Sequence, residues 1–246
     1  MRVGSRSIER QETIGQVEVL QSEASVPADS FIKLNTYNLF WIFVVTSVVG
    51  LVVETLVSYP ADHMWKDRAG LVWGPFSPIY GAGTVLMTVF LNNMKDKNGF
   101  HLFVKAAIVG ALFELFAGWT MKHLYGMVAW DYSSQPFNIG GYTCLEIACV
   151  WGMAGFLWMK LCLVPVVRVG QRIPRGTGRT VLTSLLAAFL AADIAMTFAS
   201  CTFWFDRTAG DPVDTPVEQY FAQRYSDEFM AQKFQTISMY TDLAIR

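Results

Sequence analysis

The stretch Tyr37–Tyr59, YNLFWIFVVTSVVGLVVETLVSY, contains a single charged residue, Glu54. A helix of about 20 apolar residues is long enough to cross the hydrocarbon core of a bilayer. Four further stretches are candidates for the same role: Gly74–Leu91, His101–Tyr125, Tyr142–Val167 and Arg179–Phe205. The sequence therefore predicts an all-α, polytopic membrane protein with about five transmembrane helices.

The composition of the whole chain disfavours other classes of protein. Of its 246 residues, 53% are hydrophobic and 16% are charged, whereas a typical soluble domain is roughly 25% charged. The 19 basic and 20 acidic residues give a net charge of −1, without the basic excess of a nucleic-acid-binding protein. These values disfavour a soluble enzyme, a disordered regulator and a secreted disulfide scaffold. We also expect no nucleic-acid partner.

The second apolar stretch begins irregularly. Pro75, Pro78, Gly81 and Gly83 interrupt its first half, and proline and glycine are poor helix formers. Irregular backbone survives at membrane depth only where protein or a water-filled cavity satisfies its hydrogen bonds. We expect this segment to enter the membrane as a partly re-entrant stretch and to become helical afterwards.

Polar segments flank the predicted transmembrane domain, residues 36–206. Residues 1–35 predict a disordered tail with a short helix around Ile14–Leu20, and no apolar run follows the first basic residues as in a cleavable signal peptide. Residues 207–246 predict an extramembrane segment with one amphipathic helix, which begins at Thr215-Pro216-Val217-Glu218. We expect that helix to pack over the mouth of the bundle rather than on lipid.

Basic residues near the ends of the spans indicate the orientation. Seven lie on one side and five on the other. The first group comprises Lys33, Lys95, Lys97, Arg168, Arg172, Arg175 and Arg179, and the second comprises Lys66, Arg68, Lys122, Arg207 and Arg224. This bias predicts a multi-pass protein of the cell membrane with a cytoplasmic N-terminus and an extracytoplasmic C-terminus.

Four acids lie within the predicted spans: Glu54, Glu114, Glu146 and Asp193. A charged side chain is costly in hydrocarbon, so such residues usually face the bundle interior. At about 1.5 Å per residue, Glu54 and Glu146 share a layer roughly 8 Å below the outer surface, and the other two acids lie near mid-span. The four together favour a polar cavity, although each acid alone could simply hold helices together.

Two loops combine aromatic rings, proline and glycine turns and polar side chains. They are Arg68–Gly83, RAGLVWGPFSPIYGAG, and Trp130–Gly141, WDYSSQPFNIGG. Because two spans separate them, they share one membrane face. Their polar side chains could bind a ligand or one another, or the loops could form an interfacial aromatic belt. The candidate ligand residues here are Arg68, Tyr80, Asp131, Ser133 and Asn138.

The strings G-P-x-x-P-I-Y-G and W-D-Y-S-x-x-P-F-N-I-G in these loops resemble a family of bacterial membrane proteins described as putative ABC-transporter permeases, the CmpB-like or type IV group. The resemblance covers Leu39–Arg207. It implies a membrane component of a transporter. The sequence has no G-x-x-x-x-G-K-[S/T] phosphate-binding loop, so a separate ATPase subunit would bind the ATP. Matching elements in the spans and just beyond them are Glu54, Glu114, Trp151-Gly152, Asp193 and Arg207.

Three functions remain open at this stage. The first is a permease-like or channel-like component whose ligand passes the two loops towards Glu54 and Glu146, with Glu114 and Asp193 as deeper relays. Such a small bundle would act as a homo-oligomer or with the ATPase, in contact with membrane lipids.

The second is an intramembrane enzyme acting on lipid or lipid-linked substrates, with Asp131 and Glu54 or Glu146 as an acid–base pair and Arg68 holding a phosphate. The third is a non-catalytic scaffold in which the acids are structural. We favour a protein that is not an enzyme, and we expect no cofactor. We also expect no metal, because the four cysteines lie in apolar runs without metal-ligand spacing.

Overall fold

The computed structural model describes residues 26–240. The predicted helix around Ile14–Leu20 and most of the predicted tail lie outside this range. The helices are α1 (Thr36–Asp62), α2 (Pro78–Leu91), α3 (Gly99–Tyr125), α4 (Leu145–Leu157), α5 (Leu163–Gln171), α6 (Thr177–Ala209), α7 (Pro216–Arg224) and α8 (Asp227–Lys233). A 3₁₀ turn, Asn92–Met94, follows α2, and a π-helical segment, Trp158–Cys162, joins α4 to α5. Two short antiparallel strands, β1 (Met127–Val128) and β2 (Ser238–Met239), complete the fold.

Four helical segments are long and apolar enough to cross a membrane: Thr36–Pro60, Gly99–Tyr125, Leu145–Gln171 and Thr177–Ala209. The prediction of an all-α polytopic membrane protein is thus confirmed. The second predicted span differs from the others, because only the 14 residues of α2 are helical there. This helix is about 21 Å long, shorter than the roughly 30 Å hydrocarbon core, and irregular backbone precedes it.

The long helices run back and forth between two ends of the bundle. At the N-terminal end, the backbone N–H of Phe31 donates to the carbonyl of Asn92 (3.0 Å), and the Tyr37 hydroxyl donates to the carbonyl of Gly170 (2.7 Å). At the opposite end, the ammonium of Lys233 pairs with Asp67 (2.9 Å). We call this opposite end the motif end, because residues 63–77 and 126–144, which include most of both motif loops, lie there.

Lipid-facing and protein-facing surfaces divide each long helix. Val57 of α1, Phe116 of α3 and Leu185 of α6 are each at least 65% exposed, which suits contact with acyl chains. The inner faces meet closely where one helix offers glycine, since a Cβ on Gly110 would clash with the Trp151 side chain. Close approach through small residues is the usual packing of helices in lipid.

The C-terminal segment folds as two helices where one was predicted. The capping box at Thr215 and Glu218 starts α7 as expected. The helix then ends because Tyr225 leaves helical geometry and the side chain of Ser226 caps α8 by accepting from the N–H of Phe229 (3.3 Å). A row of aromatic and apolar side chains from α7, α8 and the residue after α8 packs on the motif end, as predicted for the bundle mouth: Phe221, Tyr225, Met230 and Phe234.

Candidate functional site

The irregular stretch before α2 forms one wall of the site, and buried side chains of α6 hold its backbone. The N–H of Trp73 donates to Oδ1 of Asp193 (3.0 Å), and the N–H of Val72 donates to Oγ1 of Thr197 (2.9 Å). On the other side, the N–H of Ser77 donates to the carbonyl of Ser47 in α1 (3.1 Å). These bonds supply the partners that re-entrant backbone requires in a membrane.

Asp193 therefore serves first as an anchor of this wall. Its side chain is fully buried, and its Oδ2 has no hydrogen-bond partner within residues 26–240. None of its hydrogen bonds described there joins it to Glu114, the acid predicted to share its layer.

Glu54, Arg68 and Tyr80 come together at the motif end. Arg68 Nη1 donates to Glu54 Oε1 (2.9 Å), and the Tyr80 hydroxyl lies close enough to the same carboxylate to interact with it electrostatically. The Arg68 and Glu54 side chains are 15% and 28% exposed, respectively, so the pair is partly shielded from its surroundings yet reachable. Three separate elements supply the cluster: the end of α1, the loop and the first turn of α2.

A second polar cluster surrounds Glu114 in α3. Its Oε2 accepts from Thr143 Oγ1 (3.1 Å) and its Oε1 from the Tyr132 hydroxyl (3.3 Å), and the Trp151 side chain lies nearby. Burial and the nearby Glu114 carboxyl raise the pKa of Tyr132, so its hydroxyl stays protonated and donates. Tyr132 also interacts electrostatically with Tyr80, which makes the two clusters neighbours.

The three polar residues predicted in the second loop hydrogen-bond within that loop. Asp131 Oδ1 accepts from the N–H of Ser133 (2.9 Å), and this bond holds the pKa of the Asp131 carboxyl below its usual value. Asn138 Nδ2 donates to the carbonyls of Ser133 (3.1 Å) and Gln135 (2.8 Å). These bonds fix the shape of the loop, and Asp131 has no described hydrogen bond to Glu54 or Glu146.

Glu146 makes no described hydrogen bond or ion pair with either cluster. Its side chain is exposed in the first turn of α4, and no hydrogen bond or ion pair joins it to any residue in the described range 26–240. An acid is favourable at that position because the N-terminus of a helix carries partial positive charge. No hydrogen bond or ion pair within the described residues joins Glu146 to Glu54, the acid predicted to lie in the same shallow layer.

A cavity of about 330 Å³ opens at the motif end beside the second loop. Lys122 and Asp131 both line it, together with Trp130, Tyr142 and Tyr240. Lys122 Nζ lies 5.5 Å from the centroid of the Tyr142 ring, a cation–π contact. One cation, one anion and several rings suit a small polar or zwitterionic ligand.

Sequence reasoning missed several of these residues. Tyr132 lies inside the second motif directly after Asp131. A hydroxyl next to an acidic residue could have marked it as a candidate site residue. Lys122 was counted only as a topology charge, and Thr143 carries no pattern that marks it. No group of three or more His, Cys, Asp or Glu side chains among the described residues could hold a metal ion.

Comparisons with known proteins agree with the motifs. The model of the family described as "Putative ABC-transporter type IV" matches residues 41–198, more than half of the chain. No curated protein and no solved structure matches the sequence. The matched range includes Glu54, both loops, Glu114 and Asp193, and it ends about two thirds of the way along α6. The chain is therefore a member of the Putative ABC-transporter type IV family of membrane proteins.

Proposed function

We propose that the protein is the permease component of a transporter, with a polar ligand site at its motif end. The observation that carries this proposal is the partly exposed Glu54–Arg68 pair in contact with Tyr80. Charges at such a position are costly to hold, and apolar contacts would join the helices as well. A ligand that replaces one partner of the pair would explain why the protein keeps two charges at this position.

The remaining residues have graded roles in this proposal. Lys122 and Asp131 receive the ligand in the outer cavity, and Tyr132 and Glu114 form the next polar layer inward. Ser133 and Asn138 keep the loop in shape, Asp193 positions the re-entrant wall, and Glu146 lies outside the site. Because Glu114 is buried, passage requires the Tyr132 and Thr143 hydrogen bonds to open.

We assign a separate ATPase subunit to the N-terminal end of the bundle, where the basic loop Arg168–Arg179 lies. The excess of basic residues there supports a cytoplasmic location for this end and for the N-terminus. The motif end and the C-terminus then face outwards. A homo-oligomer would widen the pathway that this small bundle can form.

A complementation experiment tests the proposal. A deletion strain of the native host is complemented with wild-type protein, Glu54→Gln, Arg68→Gln or the matched control Glu146→Gln. Solutes in cells and medium and membrane lipids are then compared by mass spectrometry. Because Glu146 lies outside the site, we expect wild type and Glu146→Gln to restore the distribution of the same polar solute. The two site variants should restore it at least tenfold less well at equal membrane levels.

Two results would overturn the proposal. The first is that Glu54→Gln and Arg68→Gln insert at the wild-type level and still restore every solute, which would make the pair structural. The second is that deletion of the gene changes the chemical structure of a membrane lipid and leaves every solute distribution unchanged, which is the result expected of an intramembrane enzyme.

A further inference from the structure

A second and larger cavity lies at the N-terminal end, far from the site described above. It encloses about 650 Å³ between the segment that precedes α1, the end of α2 and one side of α3. Its lining has two halves of different character. Val89 and Phe90 of α2 form an apolar half, and each is more than 40% exposed. Lys33, Asn93 and Lys105 form a polar half.

The chain before α1 is fixed in place to form this cavity. Asn92, which is buried, donates from Nδ2 to the carbonyl of Ile32 (2.9 Å) and accepts at Oδ1 from the N–H of the same residue (3.1 Å). The backbone of Asn92 also accepts from the N–H of Phe31 (3.0 Å). These three bonds hold Lys33 on the wall that faces α3.

Lys105 is the unusual member of the lining. It lies six residues after the start of α3, about 9 Å along the helix, and its side chain is half-buried. No ion pair or hydrogen bond joins its ammonium to another residue in the range 26–240. A lysine within an apolar span is costly unless it reaches the interface or meets an anion.

We propose that this cavity binds one anionic phospholipid. Its phosphate lies between the ammonium groups of Lys33 and Lys105 with the Asn93 amide as a further donor, and an acyl chain covers Val89 and Phe90. Basic pockets between transmembrane helices favour anionic over zwitterionic headgroups. The apolar half of the cavity selects a lipid over free phosphate. This proposal does not depend on transport activity.

Native mass spectrometry of the full-length protein in mild detergent tests it. Phosphatidylglycerol, phosphatidylcholine or inorganic phosphate is titrated into wild type, Lys105→Gln, Lys105→Arg and Lys97→Gln. The last variant removes an exposed charge from the same end but outside the cavity. One lysine near a headgroup contributes about 1 kcal/mol, so Lys105→Gln should weaken phosphatidylglycerol binding about fivefold. Lys105→Arg and Lys97→Gln should bind it as wild type does.

Three results would overturn the assignment. The first is that phosphatidylcholine binds as tightly as phosphatidylglycerol. The second is that Lys105→Gln binds phosphatidylglycerol as wild type does, and the third is that inorganic phosphate at millimolar concentration displaces the lipid. If Lys105→Gln does not fold, Val89→Trp supplies the same test from the apolar half. A bulky ring there should lower phosphatidylglycerol binding without a change of charge, and unchanged binding would contradict the proposal.

Discussion

At the scale of single residues, the contact between Glu54 and Arg68 shows how an acid is accommodated in an apolar helix. The carboxylate lies near the end of α1, where a guanidinium from the adjoining loop reaches it. Neutralising one partner leaves the other charged group with less solvation than water would give. The pair should therefore contribute to the stability of the folded protein, and this contribution can be measured without a transport assay.

Arg68→Gln should destabilise the folded protein by about 1–3 kcal/mol, the cost of a lost hydrogen bond to a charged group. The double variant Glu54→Gln/Arg68→Gln should lose less than the sum of the two single losses, because the neutral pair leaves no isolated charge. Thermal unfolding in one detergent measures all four proteins. Additive losses would show that the two side chains do not interact.

Asp131 provides a pH-dependent prediction for the second loop. The Ser133 N–H bond lowers the pKa of the folded Asp131 carboxyl, so this contribution to loop order is present above the ordinary aspartate pKa and is lost as pH falls through the lowered value. Hydrogen exchange in residues 130–141 should be faster in Asp131→Asn than in wild type at about pH 7, and the difference should shrink as the pH falls through the lowered pKa of Asp131. A gap that persists in acid would contradict this assignment.

The sequence predicted some site residues better than others, and the reason is geometric. Glu54 and Arg68 could be chosen because each is a charge beside or within an apolar span. Depth along a helix, which placed Glu54 and Glu146 in one shallow layer, gives no information on the direction in which a side chain points. The structure leaves the Glu146 side chain exposed and brings Tyr80 to Glu54.

At the scale of elements, the contact between α1 and α2 depends on Gly50. The ring of Tyr80 lies directly on this glycine, so that an added Cβ would collide with the ring. The same ring carries the hydroxyl that interacts with the Glu54 carboxylate. Close helix packing and the geometry of the polar cluster therefore share one cause.

Gly50→Val should separate α1 from α2 and displace the Tyr80 hydroxyl from Glu54. Overpacking of this kind costs about 1–3 kcal/mol, and thermal unfolding in detergent measures it. Gly178→Ala is the matched control, because nothing lies within 4 Å of a Cβ at that helical glycine. The control should be unchanged or slightly more stable, and an equal loss in both variants would refute a specific contact at Gly50.

The irregular start of the second span and the split of the C-terminal helix also differ in how far the sequence foretold them. Pro75 and Pro78 lie only three positions apart in the second apolar stretch, so a break there follows from backbone chemistry alone. The division between α7 and α8 was hidden, since apolar residues continue at helical spacing across Tyr225. Ser226 is an effective N-cap, and capping together with burial of Tyr225 outweighs one continuous helix.

At the scale of the whole molecule, the C-terminal helices tie the motif end together. Trp73 Nε1 in the re-entrant wall donates to the Tyr225 hydroxyl (3.0 Å). Arg207 at the end of α6 donates to the Tyr225 carbonyl (2.9 Å) and pairs with Asp227 (2.8 Å). These contacts place the segment after α6 on the same end as both motif loops, whichever way the bundle is oriented in the membrane.

That arrangement predicts the pattern of labelling by a membrane-impermeant thiol reagent on intact spheroplasts. Cysteines introduced by Ser134→Cys and Gln223→Cys at the motif end should react, because the orientation proposed above puts the motif end outside the cytoplasm. Lys97→Cys and Thr177→Cys at the N-terminal end should react only after the cells are opened. The native protein is the control, since its cysteines are buried or lie within apolar spans.

Labelling of Lys97→Cys and Thr177→Cys alone in intact spheroplasts would show the opposite orientation and would leave the fold unchanged. A split between Ser134→Cys and Gln223→Cys would instead contradict the fold, because α7 and the second loop would then lie on opposite faces.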